Sequence, residues 1–173
     1  MSTATPAPLV RFLPTHRDVV SAQTVLPGVE ASQVWDLVSR PRRHAELDGG
    51  GNVRGLIDGP EAPEVGQSTV QRMRLYGIPY RMRATVIRRE PERTFAWVMP
   101  GGHTWAWEIL PAGDPEGDSA EAITVRCTFD AAAARVLGLP LAPLYRLDGG
   151  FARNRRSIAL SLARLHRTFP PRG

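Results

Sequence analysis

"TFAWVMPGGHTWAWEIL", residues 94–110, decides how this chain is built. Phe95, Trp97 and Met99 alternate before the Pro-Gly-Gly break, and His103, Trp105 and Trp107 alternate after it. Period-two alternation marks a strand whose large side chains share one face. Loop parity then sets the sides. A two-residue Gly-Gly loop would put Trp97 on the face of Glu108, away from Trp105 and Trp107. A three-residue Pro-Gly-Gly loop pairs Met99 with His103, Trp97 with Trp105, and Phe95 with Trp107. All six then share a face, and Thr94, Ala96, Val98, Thr104, Ala106 and Glu108 take the other. Burial favours the second arrangement, and three-residue hairpin loops with a glycine are common.

The preceding stretch, "QSTVQRMRLYGIPYRMRATVIRR", reads as another hairpin, with its turn at Gly77-Ile78. That turn pairs Leu75 with Tyr80 and Met73 with Met82 on an apolar face. It pairs Arg74 with Arg81 and Arg72 with Arg83 on the other. Further out, "RDVVSAQTVL", "NVRGLID" and "AITVRCTF" have strand character. "PGVEASQVWDLVSRP" and "RRHAELDGGG" read as two short helices after the first strand, and "PAGDPEGDSAE" as an acidic exposed loop.

From Pro143 onward the sequence predicts a helix. Leu144, Leu147, Phe151, Ile158, Leu162, Leu165 and Phe169 form one stripe, with Arg155 in one slot. Arg153, Arg156, Arg164 and Arg167 lie opposite. Asp148-Gly149-Gly150 predicts a kink or break, because adjacent glycines each cost a helix about 1 kcal/mol relative to alanine. The expected fold is α+β: a curved antiparallel sheet of about seven strands around a long C-terminal helix. Residues 1–16 read as a loose tail and 17–170 as one domain.

Composition narrows the function classes. The 173 residues carry a net charge of +5, with arginine supplying every basic side chain. A basic balance permits an anionic partner without identifying one. No apolar run reaches the roughly 20 residues of a membrane span, and the first residues lack a signal-peptide core, so a cytoplasmic location is the default expectation. Cys127 stands alone, which leaves no internal disulfide, and is read as a small buried hydrophobe. His16, His44, His103 and His166 have no metal-ligand spacing. "DGGGN" lacks the Lys-Ser/Thr ending of a phosphate loop. No metal and no cofactor are therefore expected, nor any specific nucleic acid. His44 is read as a surface residue near the helix–sheet junction.

Three stretches carry a family resemblance: "VWDLVSRPRRHAELDGGG", "TWAWEILP" and "SIALSLARLHR". Together with the order of elements, they make residues 17–169 resemble the START-like (SRPBCC) superfamily. That helix-grip group includes polyketide cyclase/dehydrase-like proteins, the major birch-pollen allergen and lipid-transfer domains. The resemblance implies a cavity between the concave sheet face and the terminal helix. It also implies apolar ligands such as lipids, sterols or polyketides, and in some members cyclisation or dehydration. Gly149-Gly150 departs from the smooth terminal helix of that group.

The ring-rich face is the expected ligand wall: Met73, Tyr80 and Met82 from the first hairpin, Phe95, Trp97 and Met99 from the second, then His103, Trp105 and Trp107, with Phe151 from the helix. Three readings follow. The first is a binding module for a small apolar or amphipathic molecule. The second is an aromatase/cyclase-type enzyme with His103 or Tyr80 as acid or base. The third is a basic interaction protein. In that reading Arg72, Arg74, Arg81 and Arg83 meet an anionic partner, and the rings are packed core. The simpler alternative for these four is water with nearby acids such as Glu90 and Glu92. Core or cavity stays open at this point.

Overall fold

The computed structural model describes residues 9–111 and 122–170. Most of the expected acidic loop falls outside the described residues. The elements run β1 (Arg11–Phe12), β2 (Val19–Pro27), α1 (Ala31–Val38), a short 3-10 turn (Pro41–Arg43) and α2 (His44–Leu47). Then come β3 (Val53–Asp58), β4 (Ser68–Leu75), β5 (Ile78–Glu90), β6 (Thr94–Val98), β7 (Thr104–Pro111) and β8 (Ala122–Asp130). The chain ends with a small ribbon of β9 (Arg135–Val136) and β10 (Leu139–Pro140), then α3 (Ala142–Leu147) and α4 (Gly150–Thr168).

Eight strands form one antiparallel sheet in the order β1-β2-β8-β7-β6-β5-β4-β3. The eighth strand is β1: Arg11 pairs with Gln23 and Phe12 with Ala22. The reading of residues 1–16 as a loose tail therefore does not extend to Arg11–Phe12. Bulges interrupt the β3–β4 and β5–β6 ladders, and bulges bend strands.

The β6–β7 register follows the three-residue loop. Trp97 pairs with Trp105 and Phe95 with Trp107, and the Met99 amide donates to the His103 carbonyl at 2.9 Å. The β4–β5 hairpin differs from its sequence reading. Its turn is Tyr76-Gly77, so Leu75 pairs with Ile78, Met73 with Tyr80 and Arg72 with Arg81. The slip is two residues, which preserves both faces. It leaves a single pair of arginines directly opposed instead of two.

The terminal helix breaks at Gly149, whose φ of 72° lies in the left-handed region. Beyond the break, α4 lays Ile158, Leu162 and Leu165 on Val20, Ala22, Val125 and Phe129 of β2 and β8. This contact is the main core. Before the break the expected stripe fails: Leu144 and Leu147 of α3 are 57% and 87% exposed. The left-handed residue redirects the chain, so phase is not carried across it. Arg155 fills its slot in the stripe by covering the Phe12 ring of β1, with 3.5 Å between guanidinium carbon and ring centre.

Candidate functional site

The helix α4 is asymmetric, and that asymmetry makes a cavity. Its apolar side is spent on β2 and β8. The side turned towards β3–β5 carries Asn154, Ser157 and Ser161, spaced three and four residues apart on one face. Small polar side chains cannot fill the space up to the sheet. A cavity of about 120 Å³ remains. A water needs roughly 10–15 Å³ on the same measure, so this is room for a molecule and not a packing defect.

The sheet supplies the apolar wall. Trp97, Trp105 and Trp107 line it with Met73, Met82 and Met99. Cys127 adds a buried thiol, which desolvation keeps protonated. Four expected wall residues sit elsewhere. Phe95 is buried behind Trp97 against a separate void of about 10 Å³. His103 and Phe151 belong to an aromatic plug centred on Phe129, with ring centres 5.9 and 6.0 Å from it. Tyr145 of α3 closes this plug, its hydroxyl a long 3.5 Å from His103 Nδ1. Tyr80 is half-buried opposite Met73 and outside the lining. Burial raises its pKa.

The third wall comes from α2, the loop after it and the start of β3: His44, Leu47, Asp48, Asn52 and Val53. His44 corrects its sequence reading, being 7% exposed. The α2 turn tucks it under the sheet, stacked on Trp97 at 5.0 Å. Its Nε2–H donates to the Val38 carbonyl at 2.8 Å. Its Nδ1 is therefore an acceptor, met by the Gln71 amide at 3.2 Å. Desolvation lowers its pKa, so the ring is neutral near pH 7.

Asp48 ties this wall to α4. Its carboxylate accepts from the amides of Gly50 (3.0 Å) and Val53 (2.6 Å) and from the Ser157 hydroxyl (3.3 Å). Its carbonyl accepts from Arg164 at 2.7 Å. The Gly49 amide donates to Ser161 Oγ at 2.9 Å. Arg164 is thus a structural clamp and not a purely solvated charge.

A pH dependence follows from the histidines. Burial lowers the pKa of His44 and His103 below the ordinary 6.5. The folded state then binds fewer protons than the unfolded one between the two values. Stability is full above pH 6.5 and falls as the pH drops through it. Each group contributes a slope of up to about 1.4 kcal/mol per pH unit. Melting temperatures between pH 7.5 and 5 should fall on acidification, and less steeply in His44→Gln. An equally steep fall in that variant would remove His44 as a source.

The arginines Arg72, Arg74, Arg81 and Arg83 are exposed on the face away from the cavity. Among the described residues no carboxylate lies within 4.0 Å of them. Glu90 pairs with Arg88 at 2.9 Å instead. Among the described residues, no three His, Cys, Asp or Glu side chains converge as a metal site would require. Among the described residues, no helix is long and apolar enough to cross a membrane.

Comparison with known proteins agrees with this architecture. The profile of a family described as "Polyketide cyclase / dehydrase and lipid transport" matches residues 18–169. The chain belongs to this family.

Among its relatives is uncharacterized protein Rv0088 of Mycobacterium tuberculosis, 35% identical over 144 residues, which are 83% of this chain and 61% of the relative. The chain thus spans less than two thirds of that relative's length. A START superfamily protein of Mycobacterium smegmatis superposes with a TM-score of 0.58 at 11% identity, covering 87% of this chain and 98% of that one. Norcoclaurine synthase of Thalictrum flavum, solved with dopamine and hydroxybenzaldehyde, does so with a TM-score of 0.53 at 14% identity, covering 89% and 88%. At such identities these likenesses bear on the fold alone.

Within this polyketide cyclase/dehydrase and lipid-transport family member, sequence reading missed the polar lining: His44, Asp48, Asn52, Gln71, Asn154, Ser157 and Ser161. Two signals for it existed. Gln71 interrupts the apolar face of β4 at the parity of Met73. Asn154, Ser157 and Ser161 keep helical spacing beside the apolar stripe.

Proposed function

We propose that this protein binds one small amphipathic molecule in the cavity. The observation that carries the reading is the cavity's two-sided lining. Tryptophan rings and thioethers face it from the sheet beside the Gln71 amide, and amides, hydroxyls, an imidazole and the Asp48 carboxylate from the helix side. Apolar burial supplies most of the affinity, and the polar wall orients one end of the ligand. Native mass spectrometry and solvent extraction test it, followed by titration with an apolar fluorescent probe. Asn154→Phe puts a ring into the space. It should weaken probe binding about tenfold or more, the equivalent of about 1.4 kcal/mol, with the melting temperature little changed. A protein that is empty and takes up no probe would sink the proposal.

A second reading, an acid–base enzyme on a carbonyl compound, is favoured by His44. It is the neutral imidazole on the cavity wall, whereas His103 lies in the plug and Tyr80 outside the lining. Against a turned-over substrate, His44→Gln should reduce kcat far more than His103→Gln. The reverse order would return the role to His103.

A further inference from the structure

Two hairpins of this chain share a six-residue pattern. "RLYGIP" (74–79) joins β4 to β5, and "RVLGLP" (135–140) forms the β9–β10 ribbon. Their registers match: Leu75 pairs with Ile78 and Arg74 with Pro79; Val136 pairs with Leu139 and Arg135 with Pro140. Both turns hold two residues at positive φ, Tyr76-Gly77 (51° and 84°) and Leu137-Gly138 (49° and 79°). Such turns favour Asn or Asp at the first place. A bulky side chain there is strained. Leu137, 97% exposed, has little packing to offset that strain, whereas Tyr76, 73% exposed, has Arg153 over its ring and donating to its hydroxyl. Ile78 and Leu139, across each turn, are exposed as well.

Topology puts the two tips at one end of the molecule. Strands β4, β6 and β8 run in the same direction in the sheet, so the segments that follow them emerge together. The Arg135 amide donates to Gly101 of the β6–β7 turn at 2.6 Å, which seats the ribbon there. Arg153 of α4 covers the Tyr76 ring at 5.2 Å, which fixes the other tip beside the start of α4. The exposed Leu147 of α3 belongs to the same end.

Charge completes the pattern. In each hairpin the leading arginine donates to the turn glycine's carbonyl: Arg74 to Gly77 at 3.0 Å and Arg135 to Gly138 at 3.4 Å. A cation is thereby held beside each apolar tip. Among the described residues neither has a carboxylate within 4.0 Å, while Asp148 and Asp18 at this end are taken by Arg153 and Arg146.

We infer that this end docks on an anionic lipid surface, with Leu137, Leu139, Tyr76 and Ile78 entering between headgroups and Arg74 and Arg135 meeting their phosphates. Protruding apolar tips, each with a cation at its base, suit an interface that yields to them and offers negative charge. A flat protein partner would leave the gaps between the tips unfilled. The inference does not require the cavity to hold a ligand.

Vesicle flotation tests it. The protein should float with vesicles of about three parts phosphatidylcholine to one part phosphatidylglycerol and only weakly with phosphatidylcholine alone. About 0.5 M sodium chloride should release it. Leu137→Ser with Leu139→Ser, and separately Tyr76→Ser with Ile78→Ser, should each lower partitioning by about tenfold or more. Val65→Ser, an exposed change in the loop at the other end, should leave it unaltered. All these positions are exposed, so melting temperatures report whether the variants fold. Cys127 is buried, so Leu137→Cys offers one reactive thiol for an environment-sensitive fluorophore. Its emission should shift to the blue on anionic vesicles. Three results would each overturn the inference: no flotation of the wild type, tip variants that float as it does, or tips that mediate self-association without binding vesicles.

Discussion

Gly49→Ala is expected to lower the unfolding free energy by about 3 kcal/mol or more, as an overpacked contact that cannot relax. A Cβ at this position would stand 2.3 Å from Leu160 Cβ, 2.5 Å from the Leu160 carbonyl carbon and 2.5 Å from the Ser161 nitrogen. Comfortable carbon contacts are about 3.5–4.0 Å. Two of these three atoms are helix backbone, so no rotamer change relieves the clash. Either the loop lifts from α4 or the helix shifts. Both moves weaken the Gly49–Ser161 bond, the Asp48–Ser157 bond and the Arg164 clamp together. Gly51→Ala is the control. Its φ of 66° strains alanine, but nothing lies within 4 Å of the added carbon. It should cost only about 1–2 kcal/mol. Urea unfolding of the two variants gives the comparison. A Gly49→Ala cost no larger than that of Gly51→Ala would show that the loop does not seal the cavity against α4 as described.

Phe129→Ala should cost about 3–5 kcal/mol, the usual loss for a buried phenylalanine. Phe129 is 1% exposed and makes ring contacts with His103, Trp105, Tyr145 and Phe151. Its effect extends past stability. Trp105 lines the cavity and sits 5.1 Å from Phe129, so it is the partition between cavity and plug. Removing the ring behind that partition joins new volume to the cavity. The variant should bind larger apolar probes better than wild type does, measured by titration at a temperature where both are folded. If the loss stayed under about 1 kcal/mol, the plug would have collapsed around the deletion and Phe129 would not be its centre.

The sequence carried the sheet because parity is a discrete property. One extra loop residue at Pro100 decides the faces of Phe95, Trp97 and Met99, and the ladder follows it. A wrong turn at Gly77-Ile78 displaced the hairpin register by two, yet every side chain kept its face. Helix phase is less robust. The stripe through Leu144 and Leu147 looked continuous with Ile158, but one left-handed residue at Gly149 turned α3 outward. The ring-rich wall was legible only in part. Three tryptophans and three methionines do line the cavity, while Phe95, His103 and Phe151 share their hydrophobic character and pack elsewhere. Depth along a strand and proximity to α3 separate them, and local pattern encodes neither. His44 was missed for a related reason. A lone histidine in an Arg-rich turn carries no sign that its ring stacks beneath Trp97.

One helix holds two sets of residues under different constraints. Ile158, Leu162 and Leu165 answer to the core, where a change of size costs stability. Asn154 lines the cavity and is partly exposed, and Ser157 and Ser161 divide their role between cavity and loop. Under the proposed binding role, drift at Asn154 and its neighbours would alter which molecule is accepted without threatening the fold. Specificity in such a chain can diverge between descendants while the scaffold is inherited unchanged.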